Sequence, residues 1–214
     1  MIEPVIARHT LAYVAPEAWP AVVARQDDPV VLGWAAAGRP AIVRRLAWVR
    51  QPACGEADEM LPLGLPLPPA LGKGRLSLRC PREAVARTAP PPLLRDTAAD
   101  APAHWQTTIA RLLGLDPAIR CFGSLAWRHL TGLPYLGEQS DLDLILHCES
   151  AGNANAVSAA LADINAGAPM RIDAELVGPG GAAVHWREWG GGASEVLAKS
   201  LDGARLVLRE AMFA

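Results

Sequence analysis

Apolar residues recur at every second position through residues 140–146 and again through 170–177, which predicts two β-strands with a buried aliphatic face. In the first, Leu142, Leu144 and Leu146 point one way while Asp141 and Asp143 project together on the other side. In the second, Ile172, Ala174 and Leu176 alternate with Asp173 and Glu175. Helical spacing of Trp105, Ile109, Leu112 and Leu113 predicts a helix over 101–115, with Gly114 as its stop. A strand is expected over 118–122, a short helix over 125–130 ending at Gly132 and Pro134, and a longer helix over 153–165. Gly178-Pro179-Gly180-Gly181 turns the chain back, so residues 182–186 should form a hairpin partner. After three glycines, Ser194 predicts a capped helix over 194–199, and the remainder, 201–213, turns at Asp202-Gly203.

The N-terminal part carries shorter β-prone runs at 10–14, 30–34, 40–48 and 75–80, with a helix expected over 18–25. Residues 55–73 are dense in proline and leucine; prolines would break a helix repeatedly, and the leucines are too apolar for a free linker, so the segment is expected to be extended and packed. Pro90-Pro91-Pro92 marks the expected boundary between a β-rich N-terminal domain, 1–89, and a catalytic domain, 90–214.

Composition narrows the partners. A formal net charge of −2 lacks the basic surplus by which general nucleic-acid binders neutralise phosphates, so any phosphate site must be local and no nucleic acid is expected. Lysine occurs only at Lys73 and Lys199. The cysteines, Cys54, Cys80, Cys121 and Cys148, are far apart and lack zinc spacing, which fits a reducing cytoplasm. The N-terminus has no basic region leading into a continuous apolar segment and no stretch suits a bilayer, so neither a leader nor a membrane partner is expected.

Phe122-Gly123-Ser124 ahead of Asp141-Leu142-Asp143 carries the candidate chemistry. A glycine at a turn into a helix lets backbone N–H groups approach phosphate oxygens, and Ser124 can donate to the same oxygens. Two adjacent carboxylates repel each other unless a hard cation lies between them, and Mg²⁺ (or Mn²⁺) is typically held by one or two carboxylates together with substrate phosphates. Asp173 is the candidate third acid, with Glu175 two residues on as the alternative. Lys199 can offer a point charge to a phosphate or be a surface lysine, and Arg128 can reach a triphosphate or stand on a solvated helix face. Trp127, Trp186 and Trp189 are expected in the core, with stacking on an adenine ring as the alternative, and the five scattered histidines form no metal spacing.

Glycine-serine followed by Asp-x-Asp resembles the nucleotidyltransferase superfamily that includes DNA polymerase β. That resemblance implies an α+β catalytic domain with a polymerase β-like mixed sheet and flanking helices. The joint stretches Arg120-Cys121-Phe122-Gly123-Ser124-Leu125-Ala126-Trp127, Leu130-Thr131-Gly132-Leu133-Pro134-Tyr135-Leu136 and Ser140-Asp141-Leu142-Asp143-Leu144 are similar to a narrower family. This is the malonate decarboxylase holo-acyl-carrier-protein synthases, or phosphoribosyl-dephospho-CoA transferases. Arg8-His9, Gly38-Arg39-Pro40, Leu63-Gly64-Leu65-Pro66, and Ile172-Asp173-Ala174-Glu175-Leu176 followed by Val184-His185-Trp186-Arg187-Glu188 extend the similarity.

The narrower resemblance implies transfer from 2′-(5″-triphosphoribosyl)-3′-dephospho-CoA to a serine of the decarboxylase's apo acyl-carrier-protein subunit, with release of pyrophosphate. It gives Gly123 and Ser124 the triphosphate, Asp141 and Asp143 the Mg²⁺, and Asp173 either the remaining metal position or the serine's proton. The N-terminal domain would grip the CoA moiety or the carrier, or be structural. Two alternatives stand beside this reading: a general nucleotidyltransferase using an NTP, and a non-catalytic binding module.

Overall fold

The computed structural model describes residues 6–22, 29–44, 60–72 and 74–213. The ends of the expected 18–25 and 40–48 elements, the start of the 55–73 segment, Cys54 and Lys73 lie outside the described residues. The protein is a mixed α+β chain with two sheets. It divides into two compact units, one of Met1–Pro90 with Leu201–Gly203, the other of Pro91–Ser200 with Ala204–Ala214.

The first unit holds an antiparallel sheet of β1 (Leu11–Val14), β2 (Ala41–Val43), β3 (Met60–Pro66), β4 (Arg75–Pro81) and β5 (Val85–Ala89), in the order β4-β3-β2-β1-β5. The proline-leucine segment supplies β3, whose Leu61, Leu63 and Leu65 are buried while its backbone pairs along the whole of β4. Two expectations fail here. The β-branched run at 30–34 lies in a helix, α1 (Pro29–Ala36), because a proline at the first helical position presets φ and burial of Val31 and Trp34 selects one helical face. The described part of the 18–25 helix lies in a 3₁₀ segment, Pro16–Ala21, since Pro20 removes a donor that an α-helix there would need.

The second unit carries the acids. Its helices are α2 (Leu94–Thr97), α3 (Gln106–Leu115), α4 (Gly123–Thr131), α5 (Ala151–Ala166) and α6 (Trp186–Gly190). Its strands are β6 (Arg120–Phe122), β7 (Leu142–His147), β8 (Ile172–Val177), β9 (Ala183–His185), β10 (Glu195–Lys199) and β11 (Ala204–Leu208), ordered β11-β10-β9-β8-β7-β6. All neighbours are antiparallel except β7 and β8, which α5 joins as the crossover that parallel strands require. Ser150 Oγ caps α5 by accepting from the Asn153 N–H at 3.2 Å.

One face of this sheet is the core. Leu142, Leu144 and Leu146, then Ile172, Ala174 and Leu176, then Val184, Val196 and Ala198 pack with Ile109 and Leu112 of α3, Leu125 of α4, Leu161 of α5 and Trp189 of α6. Trp127, Trp186 and Trp189 are all buried, as expected for such large apolar surfaces. The opposite face presents the alternating partners of these residues. Residues 195–199 are strand rather than helix: Val196 and Ala198 are buried while Glu195, Leu197 and Lys199 alternate outward, and both edges of β10 are hydrogen-bonded. Cross-strand pairing outweighs the helix preference of Glu, Leu, Ala and Lys.

Candidate active site

The helix turn comes first. Gly123 opens α4 with φ 65°, in the left-handed region that glycine occupies without penalty. It also has no room for a side chain: a Cβ there would lie 1.8 Å from Asp143 Oδ2. The glycine thus lets the Asp143 carboxylate lie directly against the turn, where the Ser124 backbone N–H hydrogen-bonds it. β6 and β7 are in register at Phe122 and Asp143, so the turn that follows β6 meets this carboxylate by construction.

Parallel pairing then brings the other acids alongside. Asp143 is register partner to Asp173, and Ile145 to Glu175. Asp141 lies just before β7, after a tight turn in which Ser140 Oγ accepts from the Gly137 N–H at 2.9 Å. Asp143 feels all of them. Burial, then the charges of Asp173 and Asp141, push its pKa up to about 7; the Ser124 N–H opposes this and Glu175 adds a smaller upward push.

Asp173 and Glu175 are in different surroundings. Asp173 is held below the usual carboxylate range, chiefly by His185 as a hydrogen-bond donor, against an opposing contribution from burial; Arg171 and Lys199 add smaller favourable charges. His185 Nε2 lies 2.9 Å from Asp173 Oδ1, off the line of a straight hydrogen bond. Its Nδ1 accepts the Arg187 N–H at 3.2 Å, which leaves the proton of the neutral imidazole on Nε2, toward Asp173. The Glu175 side chain is 7% exposed and has Lys199 Nζ at 3.8 Å, whereas Asp173 is 32% exposed. Of the two, Asp173 is the acid open to solvent beside Asp143.

Gly123, Ser124, Asp143, Asp173, Glu175 and Lys199 therefore belong to one face of four adjoining strands and the turn beside them. Lys199 reaches this face from a strand, not from the helix end expected for it, and its ammonium meets Glu175. Arg128 is exposed in the last turn of α4, more than a turn beyond Gly123. Spacing in the sequence missed His185. Its signal is the register of the β8–β9 hairpin, where His185 faces Glu175 across the Gly178–Gly181 turn.

Hard carboxylate oxygens around a carboxylate whose ionisation they oppose are the donor chemistry that suits a divalent cation such as Mg²⁺. As they stand, no three such side chains among the described residues are gathered closely enough to enclose a metal ion. The Cys121 thiol, on the buried side of β6, is pushed up to about 12 by burial and then by Asp143, so it stays protonated beside this site.

Residues 93–210 match the family model described as the phosphoribosyl-dephospho-CoA transferase MdcG C-terminal domain, and residues 7–91 match that of the MdcG N-terminal domain. The chain belongs to the phosphoribosyl-dephospho-CoA transferase family. Among relatives of that name, one from Bradyrhizobium diazoefficiens is 42% identical over 209 residues, covering 94% of this chain and 88% of its own. One from Xanthomonas campestris pv. campestris is 37% identical over 212 residues, covering 96% of each chain. A Pseudomonas putida relative is 46% identical over 85 residues, 40% of this chain and 41% of its own. No solved structure matches the chain. As a member of the phosphoribosyl-dephospho-CoA transferases, the protein is a transferase enzyme.

Proposed function

We propose that the protein transfers the phosphoribosyl-dephospho-CoA group of 2′-(5″-triphosphoribosyl)-3′-dephospho-CoA to a serine of the apo acyl-carrier-protein subunit of malonate decarboxylase. The observation that carries the reading is the parallel register of Asp143 with Asp173, beside a glycine-serine helix start. The same arrangement supports assigning the second unit to a polymerase β-like nucleotidyltransferase fold. The transferred phosphoribosyl-dephospho-CoA group is the one in the family's name; the triphosphoribosyl donor and the acceptor follow from the resemblance drawn on the sequence.

In the reaction the serine Oγ attacks the phosphorus next to the ribose. A P–O bond to Oγ forms as the bond to the departing pyrophosphate breaks, and the hydroxyl proton passes to a carboxylate. Asp141, Asp143 and Asp173 are the residues we assign to Mg²⁺, with Mn²⁺ as a substitute; when bound, the cation supplies Lewis-acid stabilisation of charge on phosphate oxygens. Gly123 keeps the turn clear of side-chain atoms and Ser124 offers its hydroxyl to the triphosphate. Asp173, whose ionised form His185 favours, either completes that set or, left out of it, takes the serine's proton. Glu175 and Lys199 neutralise each other at the back of the site.

No helix among the described residues is long and apolar enough to cross a membrane. The buried free thiols Cys80, Cys121 and Cys148 support our assignment to a reducing cytoplasm.

Two measurements test this reading. With the apo carrier subunit, Mg²⁺ and the triphosphoribosyl donor, intact-mass spectrometry should show one phosphoribosyl-dephospho-CoA group on a single serine. ATP is the control, having a triphosphate and adenine but no pantetheine arm; efficient labelling from ATP and none from the CoA-derived donor would overturn the substrate assignment in favour of a general nucleotidyltransferase. In single-turnover kinetics, Asp173→Asn should lose on the order of 10²-fold or more in rate, the scale of a lost electrostatic contact to the transition state. Glu175→Gln should lose far less, because Glu175 is buried against Lys199. The reverse order would move the third-acid role to Glu175.

A further inference from the structure

The side of α5 turned away from the sheet is paved with short side chains. Asn155, Ala159 and Ala162 are exposed there, and Asp163 is the one ionisable residue of the helix. Exposed helix faces ordinarily carry charged and long polar residues, whereas short side chains set the small separations at which a second helix can pack. Opposite this face α6 ends at Gly190, and Arg187 and Arg209 complete a groove of about 470 Å³.

Both arginines are held in place by neutral groups. Arg187 lies 4.4 Å from the Trp186 ring centroid and donates to the Ile172 carbonyl at 2.9 Å and to Asn165 Oδ1 at 3.0 Å. Arg209 lies 3.8 Å from the Trp189 centroid and donates to Asn155 Oδ1 at 2.8 Å and to the Trp189 carbonyl. A guanidinium has five N–H donors, so most of each remains available. Neither arginine has a carboxylate partner among the described residues, and Glu188, beside Arg187 in sequence, is committed to the Leu197 N–H at 2.6 Å. Two oriented, unneutralised positive charges thus flank a floor that offers contact area and few donors.

We infer that this groove docks an acidic helical segment of the protein that receives the transferred group, an assignment that rests on the transfer reading above. Charge complementarity selects the sign, and the small-residue floor selects a packed helix over a phosphate, which would need convergent N–H donors. One end of the groove is tied to the strand that carries Asp173. The Ile172 carbonyl, one residue before Asp173, accepts from both Trp186 Nε1 at 3.2 Å and Arg187.

The test separates docking from chemistry by measuring calorimetric binding of the unmodified apo carrier subunit without donor, alongside steady-state transfer. Ala159→Glu adds an acid to an exposed floor position, and Arg209→Ala removes one of the charges. Each should weaken carrier binding by about 10-fold or more, and raise the carrier KM to match, while kcat and the donor KM change less than about 2-fold. If the wild type binds the carrier and Ala159→Glu loses that binding, docking stands even where no group is transferred, and only the transfer reading fails. Absence of wild-type binding, or a folded Ala159→Glu variant that binds as the wild type does, overturns the inference. So does an Arg209→Ala variant whose donor KM rises while its carrier binding is unchanged, which would assign the groove to donor phosphates.

Discussion

Asp143→Asn is expected to lower transfer on the order of 10³-fold while the metal-free protein, at pH 8, melts at the same or a higher temperature than the wild type. The two halves of this result have one cause. The Asp143 pKa is raised in the fold, from an ordinary carboxylate value to about 7, by burial and by Asp173 and Asp141. Its contribution to stability is therefore fully present below pH 4 or so and is lost as pH rises through about 7. Ionised Asp143 costs stability at pH 8, at about 1.4 kcal/mol for each tenfold by which the fold strengthens its hold on the proton. Asparagine keeps the shape and an oxygen that accepts the Ser124 N–H, and removes the cost together with the charge that the proposed chemistry uses. Melting curves at pH 5 and pH 8, with chelator and with Mg²⁺, check the sign: the gain from the substitution should shrink at the lower pH. A variant that loses stability at pH 8 but keeps near wild-type transfer would make Asp143 a structural residue.

Gly123→Ala should be the other severe change, and it should damage fold and function together. The left-handed backbone alone costs a residue with a Cβ roughly 1–2 kcal/mol. The larger effect is steric, since the new methyl would lie only 1.8 Å from Asp143 Oδ2, so either the carboxylate or the turn must move. A displacement of that size at a reacting centre is worth on the order of 10²-fold in rate. Transfer should fall by at least that factor, with a lower melting temperature. Ser124→Ala, which keeps the backbone N–H that Asp143 uses, provides the comparison; equal effects of the two substitutions would show that the serine hydroxyl, not the space beside Gly123, is what matters.

The acid strand was legible because Asp141 and Asp143 alternate with Leu142 and Leu144 where the chain enters β7, a pattern that has one structural solution in a half-buried sheet. Asp173 was legible for the same reason on β8. The errors have a common physical origin, in that local preference and tertiary pairing disagree. Glu195–Lys199 consists of good helix formers after a serine, yet β9 and β11 claim both of its edges. The Val-Val-Leu run of α1 favours a strand locally, and burial of Val31 and Trp34 makes it a helix. His185 was invisible to spacing because its partners, Asp173 and the Arg187 N–H, become its neighbours only through the hairpin and the turn into α6.

The parallel pairing of β7 with β8 sets the order in which the enzyme can come alive after synthesis. The turn at Gly123 and the register of β6 with β7 need only nearby chain, but Asp143 and Asp173 become neighbours only after α5 has closed as a crossover. Non-local pairings of this kind form slowly relative to hairpins and helices. Regain of transfer during refolding should therefore lag the return of helical signal and coincide with burial of the Trp186 ring, whose Nε1 donates to the Ile172 carbonyl beside Asp173.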